Sequence, residues 1–199
     1  TIYALTAAID TKDHYTFNHS KNVAYYASEL ALAYGMSEES AEIVREAALL
    51  HDIGKIGIGE NILNKPTRLT TEEYRIMQTH VENSVGIIQH LPSLDYVIPA
   101  VLGHHERYDG TGYPRGIAGA DIPVLARILC VADSFDAMVS LRPYKKPYPV
   151  ENALHELEAQ SGRQFDPHFA AIFVELVRSG KVTPIIAEAE NRPGSVIHA

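Results

Sequence analysis

Apolar residues recur every three or four positions through most of this chain, and no run alternates polar with apolar convincingly enough to be a strand. That periodicity commits the sequence to an all-α fold, read as helix after helix with capping residues at the joints. TIYALTAAID is an entry helix, and HSKNVAYYASELALAYG stops at Gly35. SEESAEIVREAALLHDIGK starts on Ser37 as N-cap, with Glu38 and Glu39 in the first turn where the helix dipole favours them. TTEEYRIMQTHVENSVGIIQHL reads as one helix opened by a capping box, Thr70 and Glu73. LDYVIPAVLGHH is a shorter apolar helix bent near Pro99. DIPVLARILCVADSFDAMVS takes Asp121 as N-cap with Pro123 in its first turn, and VENALHELEAQSG stops at Gly162. DPHFAAIFVELVRSG carries Asp166 as N-cap, Pro167 at the first helical position and Gly180 as its stop. Three loops interrupt the pattern, at 57–70, 107–121 and 142–149, and long loops inside a compact helical domain are usually functional.

With 199 residues, the chain is long enough to bury a core as one domain. We place that domain at residues 1–180 and a C-terminal tail at 181–199. The net charge of -8 argues against a broad surface for a nucleic-acid polymer, though not against a small phosphate ligand held by a few local cations. A single cysteine, Cys130 in the apolar run ILCVA, permits no disulfide framework and reads as a small buried hydrophobe. No transmembrane stretch or signal peptide is visible, so the expected location is cytoplasmic. The sequence opens on Thr1, as a fragment of something longer would.

Ten histidines are the unusual count, because histidine is both the commonest metal ligand and the usual proton shuttle. His90, His155 and His198 read as solvated or capping residues and His168 as a surface residue, while His14 has no assignment. The remainder converge. His51-Asp52 ends an amphipathic helix after an apolar run, where an imidazole and a carboxylate are costly to desolvate without a partner. Asp133 sits in VLARILCVADSFDAM with little route to solvent. His19 opens a helix, His80 falls in a helix interior, and His104-His105 precede a glycine-rich loop. Each alone is more often structural than not. Together, five helices each present a nitrogen or carboxylate ligand, an inventory sufficient for two divalent metals with Asp52 bridging. Mixed imidazole and carboxylate ligation suits iron, manganese or zinc, and the lack of thiolate disfavours a purely structural zinc site.

The order HDIGKIGI, a later lone histidine in a helix, HHERYDGTGYP and the aspartate of VADSFDAM resembles the HD-GYP family from about Ile9 to Gly180. These are bacterial phosphodiesterases of cyclic di-GMP within the HD-domain metal-dependent phosphohydrolases. The resemblance implies a compact helical HD-domain bundle with a metal site at its centre. It implies His19, His51, Asp52 and Asp133 on one metal, and Asp52, His80, His104 and His105 on the other. It implies Lys55 beside Asp52 at the scissile phosphate and Gly112-Tyr113-Pro114 as the signature loop. Asp13, Asp136, Arg142 and Lys145 match positions that contact the ligand. Tyr15 stands where some members carry a glutamate that supports a third metal. The expected cofactor is therefore two divalent ions, iron or manganese first, with zinc, nickel or magnesium as alternatives.

Phosphodiester hydrolysis near neutral pH needs an activated water and compensation of charge on the phosphoryl oxygens, and a pair of divalent ions supplies both. The implied reaction is cyclic di-GMP to linear pGpG, with a second cut to GMP as a further step. The alternatives are a catalytically weak dinucleotide sensor, a hydrolase preferring cyclic GMP-AMP, and a helical adaptor with structural histidines. The implied partners are the cyclic dinucleotide, a diguanylate cyclase (GGDEF) or other signalling protein at the GYP loop, and an upstream regulatory domain.

Overall fold

The computed structural model describes residues 2–12, 18–140 and 147–186. Ten α-helices run through them: α1 (Ile2–Lys12), α2 (His19–Ala33), α3 (Glu38–Leu50), α4 (Glu60–Leu63), α5 (Thr71–Gln78), α6 (His80–Ile88), α7 (Ile98–Gly103), α8 (Val124–Val139), α9 (Val150–Ala159) and α10 (Pro167–Arg178). Short 3-10 turns occupy Ile53–Gly57, Pro92–Val97 and Gly119–Asp121. Among the described residues the only β-like pairing is an isolated bridge between Ser161 and Phe165.

The bundle is built on the hairpin of α2 and α3, with α8 laid along α2 and α7 against α8. Its apolar centre is a triangle of edge-on rings. Tyr26 of α2 lies 5.3 Å from Phe135 of α8 and 5.8 Å from Phe173 of α10, and those two are 4.9 Å apart. Such tilted pairs add to the stabilisation from burial alone. The Tyr26 hydroxyl accepts the Ile185 N–H at 2.6 Å, and Val182 is wholly buried. The first residues of the expected tail are therefore folded onto the core, and its residues 187–199 lie outside the described ones.

Side-chain caps open α3, α5 and α10. Ser37 accepts the Ser40 N–H, Thr70 and Glu73 form a reciprocal capping box, and Asp166 accepts the His168 N–H. Gly35 and Gly180 adopt φ of +94° and +75° and end their helices.

Four expectations need correction. The single helix expected after Thr70 breaks at Thr79, whose hydroxyl donates to the Ile76 carbonyl at 2.7 Å. A threonine that bonds back to the previous turn competes with helix continuation, so His80 opens α6 instead of lying in a helix interior. Pro99 stands in the first turn of α7, where its missing N–H costs nothing, and bends no helix. Asp121 closes a 3-10 turn, while Pro123 takes the cap position of α8 without a side-chain bond. The 57–70 loop contains α4 and its own apolar cluster of Ile58, Ile62 and Leu63 against Leu69 and Met77.

Candidate metal centre

Helix ends bring the histidines together. His19 is the first residue of α2 and His80 the first of α6; His51 and His104 directly follow α3 and α7. Asp133 projects from the middle of α8. The rings make one cluster, with centroids 5.5 Å apart for His19 and His51, 5.1 Å for His51 and His104, 5.1 Å for His80 and His105, and 4.0 Å for His104 and His105.

Three of these rings are fixed in the same way. His51 Nδ1 donates to the Ala48 carbonyl at 2.7 Å, His80 Nδ1 to Met77 at 2.7 Å and His104 Nδ1 to Val101 at 2.6 Å. Each bond uses a carbonyl in the preceding helical turn and sets the tautomer, leaving the Nε2 lone pair inward. Those three Nε2 atoms are buried and have no hydrogen-bond partner among the described residues. Asp52 approaches two of them, Oδ2 at 3.4 Å from His51 Nε2 and Oδ1 at 3.3 Å from His80 Nε2. With the ring protons committed to Nδ1, these approaches set lone pair against lone pair. Such an arrangement is unfavourable in a buried site unless a cation lies between.

The donor atoms fall into overlapping groups, each within 4.8 Å: His19, His51 and Asp133; His80, His104 and His105; and His51, Asp52 and His104. One Asp52 oxygen faces each of the first two groups. The donor set therefore fits divalent metal, and its imidazole–carboxylate character fits the first-row ions better than calcium.

Charge is distributed unevenly around this pocket. Burial pushes the Asp52 carboxyl up, but His51, Lys55 and His80 outweigh it and hold the group well below the usual carboxylate range. Lys55 Nζ donates to Asp52 Oδ2 at 2.6 Å, and its side chain remains 18 % exposed, on the open side of the site. Burial lowers the His105 imidazole to about 3 and drives His104 well below its ordinary value, so both are neutral donors at physiological pH. Burial likewise works against a charge on His19, but Asp133 and Asp136 reverse it and raise the ring to about 9. Ligation of a metal through His19 would therefore compete with a proton.

Asp136 departs from its expected position against the ligand. It is wholly buried. Its Oδ2 accepts from His19 Nδ1 at 2.7 Å and Ser140 Oγ at 3.0 Å, and its Oδ1 accepts from Asn22 Nδ2 at 2.9 Å. No edge of the carboxylate is left for a substrate; it orients His19 from behind. In Asp136→Asn an amide NH2 would face these donors. We expect metal affinity to fall about 10–100-fold with turnover recovering at saturating metal, as measured by chelator competition and metal titration of activity. Unchanged affinity would remove Asp136 from this role.

The glycine-rich loop is clamped to the histidine pair. The Tyr113 N–H donates to the His105 carbonyl at 3.2 Å, and the Tyr113 ring stacks on His105 at 4.8 Å. Glu106, buried, accepts the Arg115 N–H at 2.7 Å. A side chain at Gly112 would put its Cβ 2.3 Å from the Arg107 nitrogen and 2.5 Å from the His105 carbonyl oxygen, so only glycine lets the loop lie this close. Gly112, Tyr113 and Pro114 are half-buried at the rim. Asp13, Tyr15, Arg142 and Lys145 lie outside the described residues. His90, His155 and His168 are exposed.

Several supporting residues had no place in the sequence reading. Ser84 Oγ donates to the His51 carbonyl and accepts the Gly54 N–H, both at 2.8 Å. Asn22, Ser84 and Ser140 each follow a site residue by three or four positions (His19, His80 and Asp136), a spacing that puts them on the same helical face. Lys12 of α1 donates to the Ile58 carbonyl at 2.7 Å and to that of Ile56, holding the turn that carries Lys55. Glu106 offers no periodic signal.

The HD domain family model matches residues 4–169. The chain is 44 % identical over 167 residues to a cyclic di-GMP phosphodiesterase of Thermotoga maritima, covering 83 % of this chain and 45 % of that protein. It is 40 % identical over 178 residues to a 3'3'-cGAMP-specific phosphodiesterase of Vibrio cholerae, covering 87 % of this chain and 34 % of that protein. The chain thus spans a third to a half of these relatives. Among solved structures, a Vibrio cholerae cyclic GMP-AMP phosphodiesterase superposes with a TM-score of 0.70 at 20 % identity, over 90 % of this chain and 48 % of that one. At that identity the match establishes a shared helical fold. No described helix is long and apolar enough to cross a membrane.

Proposed function

The chain belongs to the HD domain family, and from that premise we propose that it is a metal-dependent phosphodiesterase that hydrolyses cyclic di-GMP to pGpG. The observation that carries this reading is the set of three buried Nε2 lone pairs converging around Asp52. In it, His19, His51, Asp52 and Asp133 would hold one divalent ion, iron or manganese, and Asp52, His80, His104 and His105 would hold a second. Bound there, divalent ions supply Lewis acidity and an activated water. The chain's own groups do the rest. Lys55, next to Asp52 on the open side, meets a phosphoryl oxygen and offsets its growing charge. Tyr113, backed by His105, bounds the rim on which the ligand rests.

A second reading, hydrolysis of cyclic GMP-AMP, is favoured by a specific observation: relatives at 40 % and 38 % identity carry that specificity in their names. One experiment addresses both. Protein purified anaerobically and loaded with ferrous iron or manganese is given each dinucleotide, and the products are separated. Faster conversion of cyclic di-GMP to pGpG is the expected result. Faster cleavage of cyclic GMP-AMP would move the assignment to the second reading, and dinucleotide binding without cleavage of either would refute both.

A further inference from the structure

Beyond the metal centre, the 57–70 loop and α5 line an open cleft of about 760 Å3. That is within the roughly 300–1,000 Å3 usual for small-molecule sites. Leu63, Leu69 and Met77 contribute apolar surface, Thr67 and Arg68 are exposed at its edge, and Tyr74 forms a wall. Two ring contacts connect a wall of the cleft to the histidine cluster. The Tyr74 ring lies 6.4 Å from Tyr113, and Tyr113 stacks on His105. Tyr74 keeps nearly half its surface exposed. Of the two cations in the lining, Lys65 is taken by Glu73 at 2.6 Å. Arg68 has no carboxylate partner among the described residues.

We infer that this cleft is the subsite for one purine of the cyclic dinucleotide, and that Arg68 makes it prefer guanine; the inference rests on the proposed phosphodiesterase reading. The chemistry is that of base recognition. A purine has an apolar face that stacks on an aromatic ring, here Tyr74, and a polar edge that needs partners. Guanine presents two acceptors, O6 and N7, to which an arginine donates in a fork, whereas adenine presents an amino donor there instead of O6. A dinucleotide with its phosphate at Lys55 has a second arm that must leave the metal centre, and the row from His105 through Tyr113 to Tyr74 is an aromatic path into the cleft.

Two variants test the inference in the metal-loaded protein: Thr67→Trp, to fill the mouth, and Arg68→Ala, to remove the guanine partner. The readout is KM for cyclic di-GMP, or Kd by calorimetry if no turnover occurs, compared with kcat/KM for bis(p-nitrophenyl) phosphate, which has no purine. Thr67→Trp is expected to weaken cyclic di-GMP at least tenfold more than the small ester. Arg68→Ala is expected to narrow the preference for cyclic di-GMP over cyclic di-AMP by about tenfold, the lower part of the range for a good base contact. Dinucleotide affinity within twofold of the parent in both variants, at unchanged melting temperature, overturns the inference. Cleavage of the small ester but of no dinucleotide would refute the phosphodiesterase reading, while Kd would still decide the cleft.

Discussion

Asp52→Asn is expected to leave the fold intact and abolish function. The side chain keeps its shape, and an amide oxygen can still face one side of the site. What is lost is the charge shared between the His51 and His80 sides and paired with Lys55 at 2.6 Å. Removing the charge shared by both sides is expected to lower the rate by roughly a thousandfold, equivalent to about 4 kcal/mol of transition-state stabilisation. Metal affinity is expected to fall by more than the roughly 100-fold that follows loss of an outer partner. Elemental analysis after dialysis, initial rates and a circular dichroism melt check these three points together. A variant that retains both stoichiometric metal and at least a tenth of the turnover would show that Asp52 is not the shared ligand.

The second large effect concerns a residue with no functional group. A Cβ at Gly54 would lie 1.9 Å from the His80 carbonyl oxygen and 2.4 Å from the Ser84 nitrogen. Both are backbone atoms of α6, so neither can rotate away. Gly54→Ala must therefore push the turn after Asp52 off α6. The cost is about 3 kcal/mol, at the upper end for overpacking, or a fall in melting temperature of about 6–12 °C for a domain of this size. Because this contact also sets the approach of Asp52 to His80, metal content should fall with stability. Gly86→Ala is the control, since a Cβ there meets nothing within 4 Å. A Gly54→Ala protein that melts with the parent would refute the close approach.

The fold was largely legible because helix periodicity and capping chemistry are local. Ser37, Thr70 with Glu73, and Asp166 all cap where their sequence context puts them. The break at Thr79 was not legible, because the bond that makes it competes with a helix whose apolar pattern continues across the gap. The metal centre could be read as a list of residue types, and the structure brings His19, His51, Asp52, His80, His104, His105 and Asp133 to one place. The position of Asp136 could not be read that way. Whether an aspartate three residues beyond Asp133 faces the ligand or the back of His19 depends on the rotation of α8 against α2, a property of packing. Gly54 likewise looks like punctuation in HDIGK until α6 is laid across it.

The Nδ1 bonds of His51, His80 and His104 carry a thermodynamic consequence. Each imidazole loses its rotational freedom when the helix that precedes it, α3, α5 or α7, forms, because the carbonyl that holds it belongs to that helix's last turn. The entropy of arranging these donors is thus spent at folding and not at binding, so an ion meets a receptor whose lone pairs are already aligned. The same linkage runs in reverse. Whatever unwinds the last turn of α3 or α7 lets a ring swing free, so loss of helical order and loss of the ion are two views of one equilibrium.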